Sequence, residues 1–201
     1  MNKHKVLIVY DVSYPSIDGG GQRRLYEIAS RLISRGEVEV DWVCFKTWKS
    51  EEENQENSKI KYIGIPGFNG LYNKSGSRRI LEPIEFLYAL HKAKIDYTNY
   101  DVIWSGQWPI LHLISWSFNK NIRNKLVVDW WEFWGKTWFS YSKYVGWIGY
   151  LIEKFILARI TKFSKLVTIS NTSQMEIKDL LKSSKNLQLI DNGIDSSLLN
   201  E

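Results

Sequence analysis

Seven short apolar runs, separated by segments of helical period, constrain this chain more than any other feature. They are Val6–Tyr10, Val38–Phe45, Ile60–Ile65, Asp101–Trp104, Lys125–Asp129, Leu166–Ile169 and Leu187–Ile190. All have the length of a strand and fall short of a helix. Between them, Leu25, Ile28, Ala29, Leu32 and Ile33 share one helical face that ends at Arg35-Gly36, a good C-terminal stop. Ile80–Ala93 reads as a helix with Pro83 in its first turn, and Pro109–Phe118 as another. Leu151, Ile152, Phe155 and Ala158 form the inner stripe of a further helix, and Ser173 to Glu176 reads as a capping box opening the next. Strands alternating with helices predict a parallel sheet with right-handed crossovers and helices on both faces, a doubly wound α/β fold. Ligands of such sheets lie outside the carboxyl ends of the strands, so the connections after Tyr10, Trp104, Asp129, Ile169 and Asp191 form the expected rim.

The first of these connections, Asp11 to Gln22, contains Gly19, Gly20 and Gly21 and leads into a helix. Glycines let backbone N–H groups approach a ligand with no Cβ in the way, and the helix dipole favours negative charge there, so a phosphate or carboxylate is the natural guest. A dinucleotide fingerprint is excluded, because Arg24 stands where the third glycine of G-x-G-x-x-G belongs, the loop is long, and the next strand runs out at Phe45-Lys46 with no acid at its end. A plain surface loop remains the alternative.

With 201 residues and 44% of them hydrophobic, the chain can bury a sizeable core and suits a single domain, read as residues 1–195, with 196–201 as the start of a linker. The lone Cys44 sits in an alternating strand pattern, and no cysteine–histidine metal spacing occurs, so no metal or cofactor is expected. His4, His91 and His112 have no partners at ligand spacing and read as structural or exposed. Met1-Asn-Lys-His-Lys runs straight into the first strand, which leads to the expectation of a reducing, cytoplasmic setting. A net charge of +5 favours acidic partners. Nucleic acid is not among them, because the basic residues are scattered and no recognition motif is present.

Several stretches taken together resemble a known family. They are the strand Lys5-Val-Leu-Ile-Val-Tyr10, the glycines Gly19 to Gly21 before a helix ending Arg31-Leu-Ile-Ser-Arg-Gly36, the stretch Tyr100–Trp104, the strand Lys125-Leu-Val-Val-Asp-Trp-Trp-Glu132, the run Lys165–Ser170 and the terminal Asn192-Gly-Ile-Asp195. Their order and spacing resemble the N-terminal, acceptor-side domain of family 4 glycosyltransferases of the GT-B fold. The resemblance implies a Rossmann-like domain that transfers a sugar, with retention, from a nucleotide-sugar to a glycan or lipid-linked acceptor. It also implies a second, donor-binding domain, supplied by the same polypeptide or by a partner chain, without which this half is inactive.

Carried over residue by residue, the resemblance implies a donor-diphosphate cleft made by Gly19, Gly20, Gly21, Gln22, Arg23, Ser170, Asn192 and Gly193. It implies acceptor contacts at Trp104, Gln107, Asp129 and Trp131, and a catalytic, hydroxyl-positioning role for Glu132. Many family members have histidine where Trp131 stands, which removes a histidine-dependent role here. Each residue type also has a plain reading: Arg23 as a solvated charge, Ser170 as a helix cap, Asn192-Gly193 as a turn, and Trp130, Trp131 and Trp134 as packing. Finally, Trp130–Phe163 interleaves aromatics with Lys136, Lys143, Lys154, Arg159 and Lys162. Charges interrupt it too often for a membrane span, leaving either a core helix from Trp147 or a peripheral contact made by Trp138, Phe139, Tyr141 and Tyr144 at an anionic membrane surface. The reading from another functional class is a non-catalytic α/β anion-binding or membrane-surface adaptor.

Overall fold

The computed structural model describes residues 3–48, 59–74, 79–141, 146–182 and 185–193. Parts of the Lys46–Lys59 connection and the Pro66–Ser77 loop, together with Lys143, Tyr144, Ile194, Asp195 and the expected linker 196–201, lie outside the described residues. The chain divides into two compact units, Met1–Asp129 and Trp130–Glu201.

The first unit contains β1 (His4–Val9), α1 (Gly20–Ser34), β2 (Val38–Phe45), β3 (Lys61–Ile65), α2 (Glu82–Lys92), β4 (Val102–Gly106), α3 (Leu111–Phe118), the short α4 (Lys120–Arg123) and β5 (Leu126–Trp130), whose last residue opens the second unit. Its strands lie in the order β3-β2-β1-β4-β5. β1 pairs in parallel with β2 (His4↔Val38 to Val9↔Val43) on one side and with β4 (Val6↔Val102 to Val9↔Ser105) on the other. A central strand covered on both faces has no solvent side, which is why Val6 to Val9 is uninterrupted apolar sequence and wholly buried. Pairing extends outward through Asp41↔Lys61 to Phe45↔Ile65 and through Ile103↔Leu126 to Gly106↔Asp129. The order steps one way from β1 to β3 and the other way from β4 to β5, so right-handed crossovers place helices on both faces. The fold is therefore Rossmann-like and doubly wound.

The core of this unit is built from Leu7, Ile8, Leu25, Trp42, Phe45, Phe86, Ile103 and Leu113. Phe86 meets Phe45 edge-on at 5.2 Å and the His112 ring at 5.7 Å, an arrangement the aromatic quadrupole favours. The expected stop of α1 is present: Gly36 has φ +75, its N–H donates to Ile33 O, and the Glu37 N–H donates to Leu32 O. That pair of bonds is a Schellman ending, and the left-handed φ restricts the position to glycine at little cost.

The second unit contains α5 (Thr137–Tyr141), α6 (Gly146–Phe163), β6 (Lys165–Thr168), α7 (Asn171–Leu181) and β7 (Leu187–Leu189), with β6 and β7 parallel (Leu166↔Leu187 to Thr168↔Leu189). Here one expectation is overturned. Leu151, Phe155 and Ala158, assigned above to the inner stripe of α6, are exposed, and the buried face consists of Gly146, Glu153, Ile156, Leu157 and Ile160. The helix is apolar on both sides, so periodicity admitted two solutions, and the buried carboxylate of Glu153 sits on the side opposite to the one polarity suggested. At α7 the N-cap is Ser170, as its plain reading has it, and the helix does not open with a capping box at Ser173.

Candidate functional site

In the first unit the strand order reverses where β1 and β4 are neighbours, and the connections beyond the carboxyl ends at such a switch point are where a doubly wound sheet holds its ligand. The chain leaving β1 passes Asp11 and Ser13, both buried, turns at Ser13–Ile17 (Ile17 N–H to Ser13 O, 3.0 Å), and enters α1 earlier than its apolar face suggested. Gly20 and Gly21 are the first helical residues, so the helix takes in part of the connection Asp11 to Gln22. Glycine is a poor helix former, yet N–H groups of a first turn have no intrahelical acceptor, so little is lost there. Gly19, the N-cap, is extended (φ 173), no side chain caps this end, and the first turn holds no acid. Gly20 has no positive φ, and a Cβ there would meet nothing within 4 Å. No packing or backbone requirement in the folded chain therefore accounts for glycine at this position.

The residues around this turn divide into clips and free-standing groups. Gln22 is buried and its amide nitrogen donates to Ile17 O at 2.9 Å, closing the loop on itself, whereas Arg23 is exposed. The neighbouring Arg24, which the sequence argument noted only as a missing glycine, donates from Nε to Asp129 Oδ2 at 2.9 Å. Both side chains are buried, at 9% and 1% exposure, so the pair fastens α1 to the end of β5. Asp129, expected at the acceptor, is thus engaged by an arginine 105 positions away in sequence. Gln107, also buried, lies beside it through an N–H bond to Asp129 O of 3.0 Å. Trp104 is not at this rim. β4 continues to Gly106, and Trp104 sits inside it, half-buried, with Ile8 and Val127 as its strand partners.

In the second unit, Trp130 is fully buried, Trp131 half-buried and Glu132 exposed. Ser170 Oγ accepts the Ser173 N–H at 3.2 Å, and Ser173 Oγ donates to Trp131 O at 3.3 Å. The cap of α7 is thereby tied to the Trp131–Glu132 segment, bringing together three residues of the expected site. Asn192 and Gly193 are exposed beyond β7. Sequence reasoning missed Glu153, whose carboxylate accepts N–H bonds from Trp134 (3.0 Å), Gly135 (2.8 Å) and the Trp138 indole (3.1 Å). Burial raises its carboxyl above the ordinary range against the pull of these donors. A single acid within an apolar helix was the available signal. The Trp138 backbone carbonyl packs on Gly146 and its ring on Gly149, and a Cβ at either glycine would collide with them. Trp138 therefore does not serve as the membrane contact expected above, while Phe139 remains exposed.

The remaining titratable groups serve structure. His112, wholly buried, shares a 2.8 Å bond with Ser105 Oγ, and burial pulls its imidazole down to about 3. Burial likewise pushes the Cys44 thiol up to about 12, which leaves it inert. Among the described residues no group of three or more His, Cys, Asp or Glu side chains could hold a metal ion.

The sequence model of Glycosyltransferase Family 4 matches residues 18–198 of this chain, from the glycine turn to beyond β7. The chain belongs to glycosyltransferase family 4. This family 4 chain also resembles solved structures. A sucrose-phosphate synthase from Thermosynechococcus elongatus superposes with a TM-score of 0.66 at 17% identity, over 98% of this chain and 50% of that one. MurG from Acinetobacter baumannii aligns at a TM-score of 0.40 and 10% identity, over 99% of this chain and 70% of that one. At such identities the first likeness concerns the fold alone, and the chain spans about half the length of the synthase. A comparison with curated protein sequences gives no match.

Proposed function

We propose that this chain is the acceptor-side domain, read as residues 1–195, of a retaining glycosyltransferase that moves a sugar from a nucleotide-sugar to a glycan or lipid-linked acceptor. In this reading a second domain or partner chain supplies the donor-binding portion, which fits the twofold length of the synthase, and the 201-residue chain alone turns over no donor. The anomeric C–O bond to the diphosphate breaks, the diphosphate leaves with the electron pair, and the acceptor oxygen forms the new C–O bond as its proton passes to the departing phosphate oxygen. N–H groups at the start of α1, with the exposed Arg23 guanidinium, stabilise the charge that develops on the departing phosphate. Glu132 orients the acceptor hydroxyl and Trp131 offers a sugar-stacking face. Ser170, Asn192 and Gly193 stand on the donor side. The reading assigns no resident metal or cofactor. It places the enzyme at the cytoplasmic face of a membrane when its acceptor is lipid-linked.

The observation that carries the reading is the uncapped, acid-free glycine turn within the family match. Gly20→Asp tests it, because a side chain at this position meets open space. Removing a helical glycine and placing an acid in the first turn should leave stability unchanged or raise it by roughly 1 kcal/mol. In the active enzyme, kcat/KM should nevertheless fall by about 10²–10³, the range seen when one preorganised donor is lost from a developing anion. Normal kinetics in a well-folded Gly20→Asp enzyme would reduce the turn to a connector.

A further inference from the structure

We propose that the outward face of α6 is a docking surface for an anionic lipid bilayer. The proposal deepens the lipid-acceptor reading above and rests on it for its purpose, although the surface is argued from this helix alone. At 100° per residue, Trp147, Ile148, Leu151 and Phe155 fall on one side of α6, and they are 53%, 41%, 51% and 44% exposed. The opposite side already has its packing partners, with Glu153, Ile156, Leu157 and Ile160 buried. A helix with a filled inner face normally turns charge to water, and this one turns two turns of large apolar side chains.

Charge selects the occupant. From Phe133 to Met175 the sequence carries six basic residues and a single acid, Glu153, which is buried against the 134–138 segment. Lys154 and Lys162 are exposed on the same side as the apolar patch, whereas Glu153, the acid of this helix, lies on its buried face. A second copy of the chain would bring its own lysines to a face with no acid to receive them. An anionic bilayer fits both halves of the pattern: the apolar side chains enter the headgroup–acyl boundary, and the lysines extend to the phosphates. The patch from Trp147 to Phe155 is about 12 Å long, suited to lying in the interface. Among the described residues no helix is long and apolar enough to cross a membrane.

The test is co-sedimentation of the 201-residue chain with vesicles of phosphatidylcholine alone and of phosphatidylcholine and phosphatidylglycerol in equal parts. Binding should be confined to the anionic vesicles and should fall as salt is raised. Each lysine near an anionic surface accounts for about fivefold in partitioning, so Lys154→Glu with Lys162→Glu should lower binding at least about 25-fold. Ile148→Ser with Leu151→Ser should lower it comparably with an unchanged melting temperature, since both residues are exposed. Lys120→Glu with Lys185→Glu, exposed elsewhere, should change it little. Negligible binding to anionic vesicles at low salt overturns the proposal, as does binding that neither α6 variant reduces. So does an apolar variant that dissociates a dimer without affecting vesicle binding. If vesicle binding passes these tests while the enzyme glycosylates only soluble acceptors, the lipid-acceptor reading fails and the docking surface stands.

Discussion

Two helices that begin just beyond parallel strands, α1 after β1 and α7 after β6, treat their first N–H groups in opposite ways. At α7 the Ser170 hydroxyl accepts from Ser173, and the Ser173 hydroxyl goes on to hold Trp131, so side chains of the unit itself organise that end. At α1 the equivalent position is Gly19, no side chain caps the helix, and its first turn is glycine and glutamine. Within α6, Glu153 satisfies the N–H groups of Trp134 and Gly135 in the same inward-looking manner. Donors satisfied internally point to a structural role, and donors kept without a side-chain cap point to a ligand. The comparison therefore sorts a set of candidate residues that the family resemblance treated alike.

The largest expected effect lies in what holds the open turn in place. Arg24→Met should cost about 3–5 kcal/mol, the usual consequence of leaving one charge of a buried pair without its partner. Denaturant unfolding measures the loss, and the first unit should register it. Activity should fall further than the unfolded fraction explains, because α1 is no longer fastened to β5 through Asp129. A stability loss with undiminished kcat in the remaining folded enzyme would show that the position of the turn does not matter to chemistry.

Next is the closed region. Glu153→Ala removes the acceptor for three N–H donors and should cost about 3 kcal/mol, since each buried donor left unsatisfied is worth roughly 1–3. The wild-type residue also has a pH signature. Its folded pKa is raised above the ordinary 4.5, so its contribution is fully present below that value and is lost as pH rises through the folded pKa. Thermal unfolding of wild type should thus weaken relative to Glu153→Gln as pH is raised from about 4.5 towards neutrality. Parallel curves for the two proteins over that window would remove Glu153 as a titrating group.

All seven expected strands are present, with ends displaced by a residue or two; β1 was legible because burial on both faces leaves the unbroken apolar record Val6 to Val9, and β2 because Glu39 and Asp41 alternate with the buried Val38, Val40 and Trp42. The Arg35-Gly36 stop was legible because the left-handed φ that ends a helix this way favours glycine. Other features depended on partners distant in sequence. Arg24 and Asp129 are 105 positions apart, and neither residue's neighbours announce the pair. The faces of α6 could not be assigned because apolar residues surround the helix and its one acid is the inward group. The cap of α7 was left between two residues one turn apart because Ser170 and Ser173 are both good caps. The hydroxyl bond from Ser173 to Trp131 O, a tertiary contact, decides between them.

That same pair supplies the smallest and most discriminating prediction. Ser170→Ala should cost about 1 kcal/mol, the ordinary value of a lost N-cap, with the effect visible in the thermal stability of the second unit. Ser170→Asp separates capping from donor binding, because aspartate caps as well as serine does and interacts favourably with the helix dipole, yet it adds a negative charge. If Ser170 acts only as the cap that ties α7 to Trp131, the aspartate variant should recover the stability lost in the alanine variant and retain its kinetics. If Ser170 also faces the donor diphosphate, stability should return while KM for the nucleotide-sugar rises by about tenfold or more, the equivalent of 1.4 kcal/mol of repulsion. The second result would mean that a capped helix end still serves the anion and would break the distinction drawn between α1 and α7. The first would confine the anion-binding role to the glycine turn.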